Sequence, residues 1–148
     1  MYSGTCIQST TLLDGSIFEQ AIIFITQHDA GGSVGFVVNK ALGRTLDQLE
    51  EFKQCPPVPL YNGGPVDTEH LFFIHRRPDL IAGGTLVAGN IYMGGNFTEV
   101  VAHLKTNTLS KEEVKLFIGY CGWDDTELES EIAEGSWLVT DGGEVFKN

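Results

Sequence analysis

Short apolar runs separated by glycine-rich turns dominate the first two-thirds of the chain. Ala21–Thr26 (AIIFIT) is apolar and β-branched, the composition of a buried strand. Asp29-Ala30-Gly31-Gly32 is turn chemistry, and Ser33–Asn39 (SVGFVVN) reads as the returning strand of a hairpin. Further strands are predicted over 58–61, 71–75, 85–87, 91–93, 114–120 and 137–140. The period changes to that of a helix at three places. In Thr45–Phe52, Leu46 and Leu49 share a face and Thr45 with Gln48 fits a capping box, before Pro56 and Pro57 end the run. Asn96 caps a second helix whose stripe is Val100, Val101 and Leu104. Asp124 or Asp125 caps a third, with Leu128 and Ile132 as its seam and Gly135 at its end. Strands outnumber helices and the βαβ alternation is irregular. The expected fold is α+β, with a strongly bent, partly closed mixed sheet and a few peripheral helices.

The 148 residues suit a single domain spanning 1–148, and 42% hydrophobic residues supply a core without metal or disulfide staples. Glycine is frequent, at 18 residues, but scattered, so no linker divides the chain. Three widely spaced cysteines, Cys6, Cys55 and Cys121, fit neither a disulfide framework nor a zinc ribbon, which points to a reducing, cytoplasmic setting. No apolar run approaches the roughly 20 residues of a membrane helix, and no secretory leader is expected. Net charge is −11, from 20 acids against 9 bases, which disfavours direct nucleic-acid binding.

Charge also colours the most unusual stretch, Gly119–Glu129 (GYCGWDDTELE). Here Tyr120 is expected to end a strand, Gly122 to permit a tight turn, and Asp124-Asp125 to start a helix. Carboxylates at that helix start fill the place a phosphate would take. The segment 124–134 holds six acids and no base, with Glu127, Glu131 and Glu134 on one face. That is either a solvated surface or, over Asp125–Glu134, a docking face for a basic protein partner.

Catalytic constellations are sparse. His28, His70, His75 and His103 lack metal-ligand spacing, so neither metal nor cofactor is expected. There is no GxSxG elbow and no phosphate-binding glycine loop. His28 and His75 both fall at predicted strand ends, where they could converge, and Cys121 precedes a helix whose dipole would activate a thiol while the adjacent acids would oppose it. Asn62-Gly63-Gly64-Pro65-Val66 brings backbone close to something and exposes N–H groups, either as a plain turn or as the lip of a pocket.

Taken in order, several segments resemble the YqgE/AlgH family. They are Phe18 before a hydrophobic strand, Gln27-His28-Asp29, Gly35–Lys40 (GFVVNK), Gly63-Gly64-Pro65-Val66, Leu71–His75 (LFFIH), Gly119–Trp123 (GYCGW) with Glu127-Leu128-Glu129, and Trp137-Leu138. The resemblance spans nearly the whole chain. It implies a single-domain, cytoplasmic bacterial protein whose bent sheet folds into a pseudo-barrel. Some members are labelled transcriptional regulators, and no enzymatic activity is established for the family. This chain departs from the pattern where Asp124, Asp125 and Thr126 follow GYCGW and Glu127 stands in place of a glutamine, and where the segment Ser9–Asp14 lacks the usual proline.

The expected function is therefore a non-enzymatic binding or regulatory protein acting through a protein partner or a small ligand. Asn39, Gly63, Gly64, Pro65, Tyr120 and Trp123 are the candidate ligand-binding residues. A small enzyme using His28, His75 or Cys121 is the alternative, and direct DNA binding a further one.

Overall fold

The structure, a computed structural model, describes residues 2–140 together with Val145 and Phe146. Ten strands form one bent sheet: β1 (Cys6–Ser9), β2 (Ile22–Asp29), β3 (Gly32–Val37), β4 (Ala41–Thr45), β5 (Pro59–Asn62), β6 (Val66–His75), β7 (Thr85–Ala88), β8 (Ile91–Met93), β9 (Val114–Asp124) and β10 (Trp137–Thr140). Two helices pack outside it, α1 (Phe97–Lys105) and α2 (Glu127–Ala133). The strand order is β10-β1-β2-β3-β9-β6-β8-β7, with β5 also on β9 and β4 on β5. Every pairing is antiparallel except β5 with β9. The sheet is thus mixed, as expected, and curls towards a barrel. Gly4, just ahead of β1, lies against β7 so closely that a Cβ built on it would stand 2.4 Å from the Ala88 Cβ.

The apolar runs are continuous because the central strands are buried on both faces. Phe24, Phe36, Tyr61, Ile74 and Phe117 point into the bend, with the Phe36 and Phe117 rings stacked 4.8 Å apart. Alternate residues on the same strands point outward. Leu60, Phe73 and Leu116 pack under α1 with Val100 and Leu104, while Ile23, Ile25, Val37 and Trp123 pack with Leu128 of α2 and Trp137.

The predicted hairpin forms as β2 and β3, and Asn96 caps α1, its Oδ1 accepting from the Glu99 N–H at 3.2 Å. Two expectations need correction. The helix expected over Thr45–Phe52 is two 3-10 turns, Leu46–Gln48 and Glu50–Phe52, and Thr45 belongs to β4, a strand the pattern did not reveal. The capping contact survives, with the Thr45 N–H on Gln48 Oε1 at 3.0 Å, but a run this short stops after each turn. β9 does not end at Tyr120. It runs on through Asp124, the turn falls at Asp125 (φ 37°) and Thr126, and α2 begins at Glu127. β1 was also not anticipated, since a four-residue strand carries almost no periodicity.

Candidate functional site

The site is organised by the way Gly63-Gly64-Pro65 crosses β9. β5 lies on one edge of β9, with Leu60–Asn62 opposite Leu116–Ile118. β6 lies on the other edge, with Val66 opposite Tyr120 and 71–75 opposite 118–114. Strands joined by only three residues therefore straddle a third strand, and the link must pass directly over it. A Cβ on Gly64 would sit 2.2 Å from the Tyr120 carbonyl, and one on Gly119 would sit 2.3 Å from the Gly64 oxygen. Only glycine lets two backbones approach this closely. Gly63 is bound into the sheet as well. Its N–H donates to Ile118 O and its carbonyl accepts from Val37 N, each at 2.9 Å, so the exposed N–H groups expected of this loop are not available at Gly63.

Gly119 has a second role. At φ 76° it makes an irregularity in β9 that resets the alternation of faces. Beyond it Cys121 and Trp123 point towards α2, while Tyr120, Gly122 and Asp124 continue the inner face. That inner face opens at the end of the bend into a cleft of about 520 Å³. Its walls include Val34, Val66 and Tyr120; glycines 31, 32 and 122 leave its floor flat, and Gln27, Asp29 and Asp124 supply its polar atoms. The Tyr120 ring packs edge-on against Phe72 (centroids 5.5 Å, 80°), which fixes it over Gly122. The Gln27 amide and the Gly31 N–H donate to Asp29 and hold its carboxyl below the usual range.

The six candidate residues fall on three sides of the crossing. Tyr120 and Trp123 line the cleft. Gly64 and Pro65 line a smaller cavity of about 190 Å³ with Phe18 and Lys40. Gly63 lies between, and the Asn39 side chain ties neighbouring backbone, accepting from Ile22 N at 2.9 Å and donating to Gln20 O at 2.8 Å. The Trp123 indole turns away from the cleft: its N–H, like that of Trp137, donates to Glu131 Oε1 at 3.0 Å. Glu131 is therefore engaged beneath the acidic helix rather than presented on it. Glu127 Oε1 takes the Asp124 N–H at 3.2 Å, and Glu129 and Glu134 are exposed.

His28, His75 and Cys121 are not brought together. His75 is fully buried on β6, its Nδ1 accepting from Arg77 N and its Nε2 donating to Gly94 O, both at 3.1 Å; burial lowers its pKa below the usual value. Cys121 is not at a helix start but inside β9, its thiol donating to Gly63 O at 3.4 Å, and burial pushes it up to about 12. His28 contacts Ser33 Oγ through Nδ1 at 2.6 Å, with Nε2 3.7 Å from Glu129 of α2. Ser33 is 3% exposed, so this chain of polar groups pins the hairpin to α2 with its hydroxyl closed to solvent. No cluster of three metal-ligating side chains occurs among the described residues.

Comparison with known proteins bears on this arrangement as a whole. The AlgH-like family model matches residues 6–146, nearly the entire chain. The chain belongs to that family. A UPF0301 protein of Chlorobium luteolum is 34% identical over 136 residues, 91% of this chain and 71% of the relative. One from Bacteroides thetaiotaomicron is 31% identical over 138 residues, covering 93% and 70%. Among solved structures, the AlgH protein of Pseudomonas aeruginosa superposes with a TM-score of 0.74 at 26% identity, over 93% of this chain and 75% of that one. Protein DIP2367 of Corynebacterium diphtheriae shares the fold (TM-score 0.77, 18% identity, 99% and 84% covered). For this AlgH-like chain the α+β architecture is thus common to both solved structures.

Ser33 and Gly119 are the AlgH-like chain's residues that sequence reasoning missed at the site. Ser33 was within reach, since the two-residue turn Ala30-Gly31 places it directly opposite His28. Gly119 was not, because its role depends on a crossing between segments 55 residues apart in the chain.

Proposed function

We propose that this protein is a non-enzymatic binding or regulatory protein of the cytoplasm, and that the cleft at the open end of the bent sheet is where it takes a partner protein or a small ligand. The observation that carries this reading is Tyr120, held by Phe72 at the wall of a solvent-open cleft whose floor is glycine. Clefts with an aromatic wall and a few placed polar groups are the usual form of a binding site. Tyr120 would meet the ligand and Trp123 would contribute backbone to the wall, its indole being turned away; Gly63, Gly64 and Pro65 form the rigid divider behind them, and Asn39 anchors the segment alongside. The groups that would serve an enzyme fit the reading too, since Cys121 and His75 are buried and His28 is spent on Ser33. Direct DNA binding finds no support in the cleft, whose described lining residues include two carboxylates and no cation.

The test is a thermal-shift panel on the purified chain, covering nucleotides, divalent metals, common metabolites, basic peptides and duplex DNA. A ligand at 100 times its Kd stabilises the native state by about 2.7 kcal/mol, a readily measured shift. The expected result is a hit that Tyr120→Ala abolishes while the variant stays folded. A hit that survives Tyr120→Ala, or a response to duplex DNA alone, sinks the proposal.

A further inference from the structure

The cleft has a backbone feature as well as a side-chain one. β9 is flanked along most of its length, by β5 and then β3 on one edge and by β6 on the other. β6 begins at Val66, opposite Tyr120, because the chain has only just crossed over from the far edge. Among the described residues no strand pairs the β6-side edge of Cys121–Asp124, while the opposite edge is filled by Gly35–Gly32. The Asp124 N–H is met by a side chain, Glu127 Oε1 at 3.2 Å, rather than by a strand. A gap one short strand long therefore lies beside a central strand, in line with β6, and it opens onto the cleft.

Unpaired strand edges are templates for another strand, and native proteins usually block them with lysine, proline or a covering element. Among the described residues that line the cleft none is a lysine or proline. The lining chemistry is mixed instead. Val34, Val66 (39% exposed) and Tyr120 offer apolar contact, and Asp29 and Asp124 offer negative charge, with Asp29 held ionised by its two donors. Among the described residues no cation lines the cleft to oppose an incoming positive charge, and the chain carries a net charge of −11.

We propose that this edge accepts an extended, basic peptide segment of a partner protein, which adds as a short strand beside Cys121–Asp124, sets apolar side chains against Val34 and Tyr120, and directs a lysine or arginine to Asp29 and Asp124. The proposal rests on the binding reading above and narrows it to one class of occupant. Main-chain hydrogen bonds supply sequence-independent affinity in such complexes, and alternate side chains supply selection. The acidic field draws a basic segment in and repels an acidic one.

The experiment uses 15N-labelled protein and three capped heptapeptides: a Lys–Val peptide whose residues 2, 4 and 6, which share one face of a strand, are Lys, Val and Val between threonines, a Glu–Val peptide with Glu in place of that Lys, and the Lys–Val sequence with alternate amides N-methylated. The Lys–Val peptide is expected to shift the Gly122 and Asp124 amide resonances and slow their hydrogen exchange. The Glu–Val peptide should leave them unmoved. The N-methylated peptide, equal in charge but unable to pair as a strand, should bind at least tenfold more weakly. Asp29→Asn and Asp124→Asn should each weaken the Lys–Val peptide about three- to tenfold, with circular dichroism confirming that the variants fold. Equal binding of the Lys–Val and N-methylated peptides, shifts centred on another edge, or no shift with any peptide overturns the proposal. If the peptides fail while a small molecule from the panel perturbs Tyr120 and Gly122, the cleft remains a binding site and only the peptide class is lost. If nothing perturbs those residues, both readings fall.

Discussion

Trp123 and Trp137 donate their indole N–H groups to one and the same oxygen, Glu131 Oε1, each at 3.0 Å, with their rings nearly perpendicular (6.3 Å, 85°). β9, β10 and α2 are joined at that atom. Both rings are buried, at 7% and 2% exposure, so neither N–H has water to fall back on. Glu131→Ala should therefore destabilise the fold by about 2–3 kcal/mol, since it strands two buried donors at once. Glu131→Gln keeps an acceptor oxygen and should cost less. Urea unfolding followed by tryptophan fluorescence measures both, and equal, negligible losses would show that the shared carboxylate is incidental.

The crossing at Gly64 predicts an asymmetry among glycines. Gly64→Ala places a Cβ 2.2 Å from the Tyr120 carbonyl, where backbone must move, and should cost about 3 kcal/mol or more, or prevent folding. Gly122→Ala meets only the Tyr120 ring edge at 3.5 Å, ordinary contact, and should leave the fold intact. Soluble yield and thermal midpoint of the two variants, side by side, decide the matter.

Lys115 is 3% exposed, its Nζ donating to Val145 O at 2.9 Å and lying 4.1 Å from the Tyr61 ring centroid. Burial lowers its pKa from 10.5 to about 8. Between those values the unfolded chain keeps a proton that the native protein has released, so this residue makes stability rise with pH across that window. The full effect is about 3 kcal/mol, of which about 1 falls between pH 8 and 9. The thiols of Cys6, Cys55 and Cys121, all pushed up by burial from an ordinary value of 9.0, act in the opposite sense from about pH 8 upward, so the lysine is read as the difference between the native protein and a variant that lacks it. Chemical denaturation at pH 8 and pH 9 should show Lys115→Met losing about 1 kcal/mol relative to the native protein over that interval, and parallel changes in the two would refute the assignment.

His75 acts on the acid side. Burial disfavours its charged form, so as pH falls below the ordinary histidine value of 6.5 the unfolded chain takes up a proton first and stability declines. His70 is shifted upward by Asp67 and slopes the other way, its contribution present below 6.5 and lost above it. Stability measured from pH 5 to 7 in the native protein and in His75→Gln should differ in slope, with the variant flatter. Identical slopes would mean that the buried ring is protonated at little cost.

How much of this was legible in the sequence depends on range. The β2–β3 hairpin, the α1 cap and the strand at Trp137–Thr140 follow from local pattern and are found where expected. The misplacement of the turn after Tyr120 has a physical cause. Gly122 reads as a breaker, yet it lies in a strand where a missing side chain leaves space for the Tyr120 ring, and the real turn uses Asp125 at positive φ. Gly63, Gly64 and Tyr120 stand out in the sequence because they belong to two unusual glycine motifs. That Gly63 and Gly64 are held backbone against backbone with β9 could not be read, since nothing local records which edge of β9 each strand will occupy.

The order in which the strands are made has a consequence for synthesis. β5 and β6 leave the ribosome together, linked by three residues, but they cannot pair with each other, because the place between them belongs to β9. At about 5–20 residues per second, several seconds pass before Asp124 follows His75 out. During that interval Leu60, Tyr61, Phe73 and Ile74, which the finished fold buries, lack the strand that both β5 and β6 pair with. A ribosome stalled before residue 114 therefore holds a chain with no complete sheet, one that any chaperone selecting for unpaired strands would recognise until its ninth strand arrives.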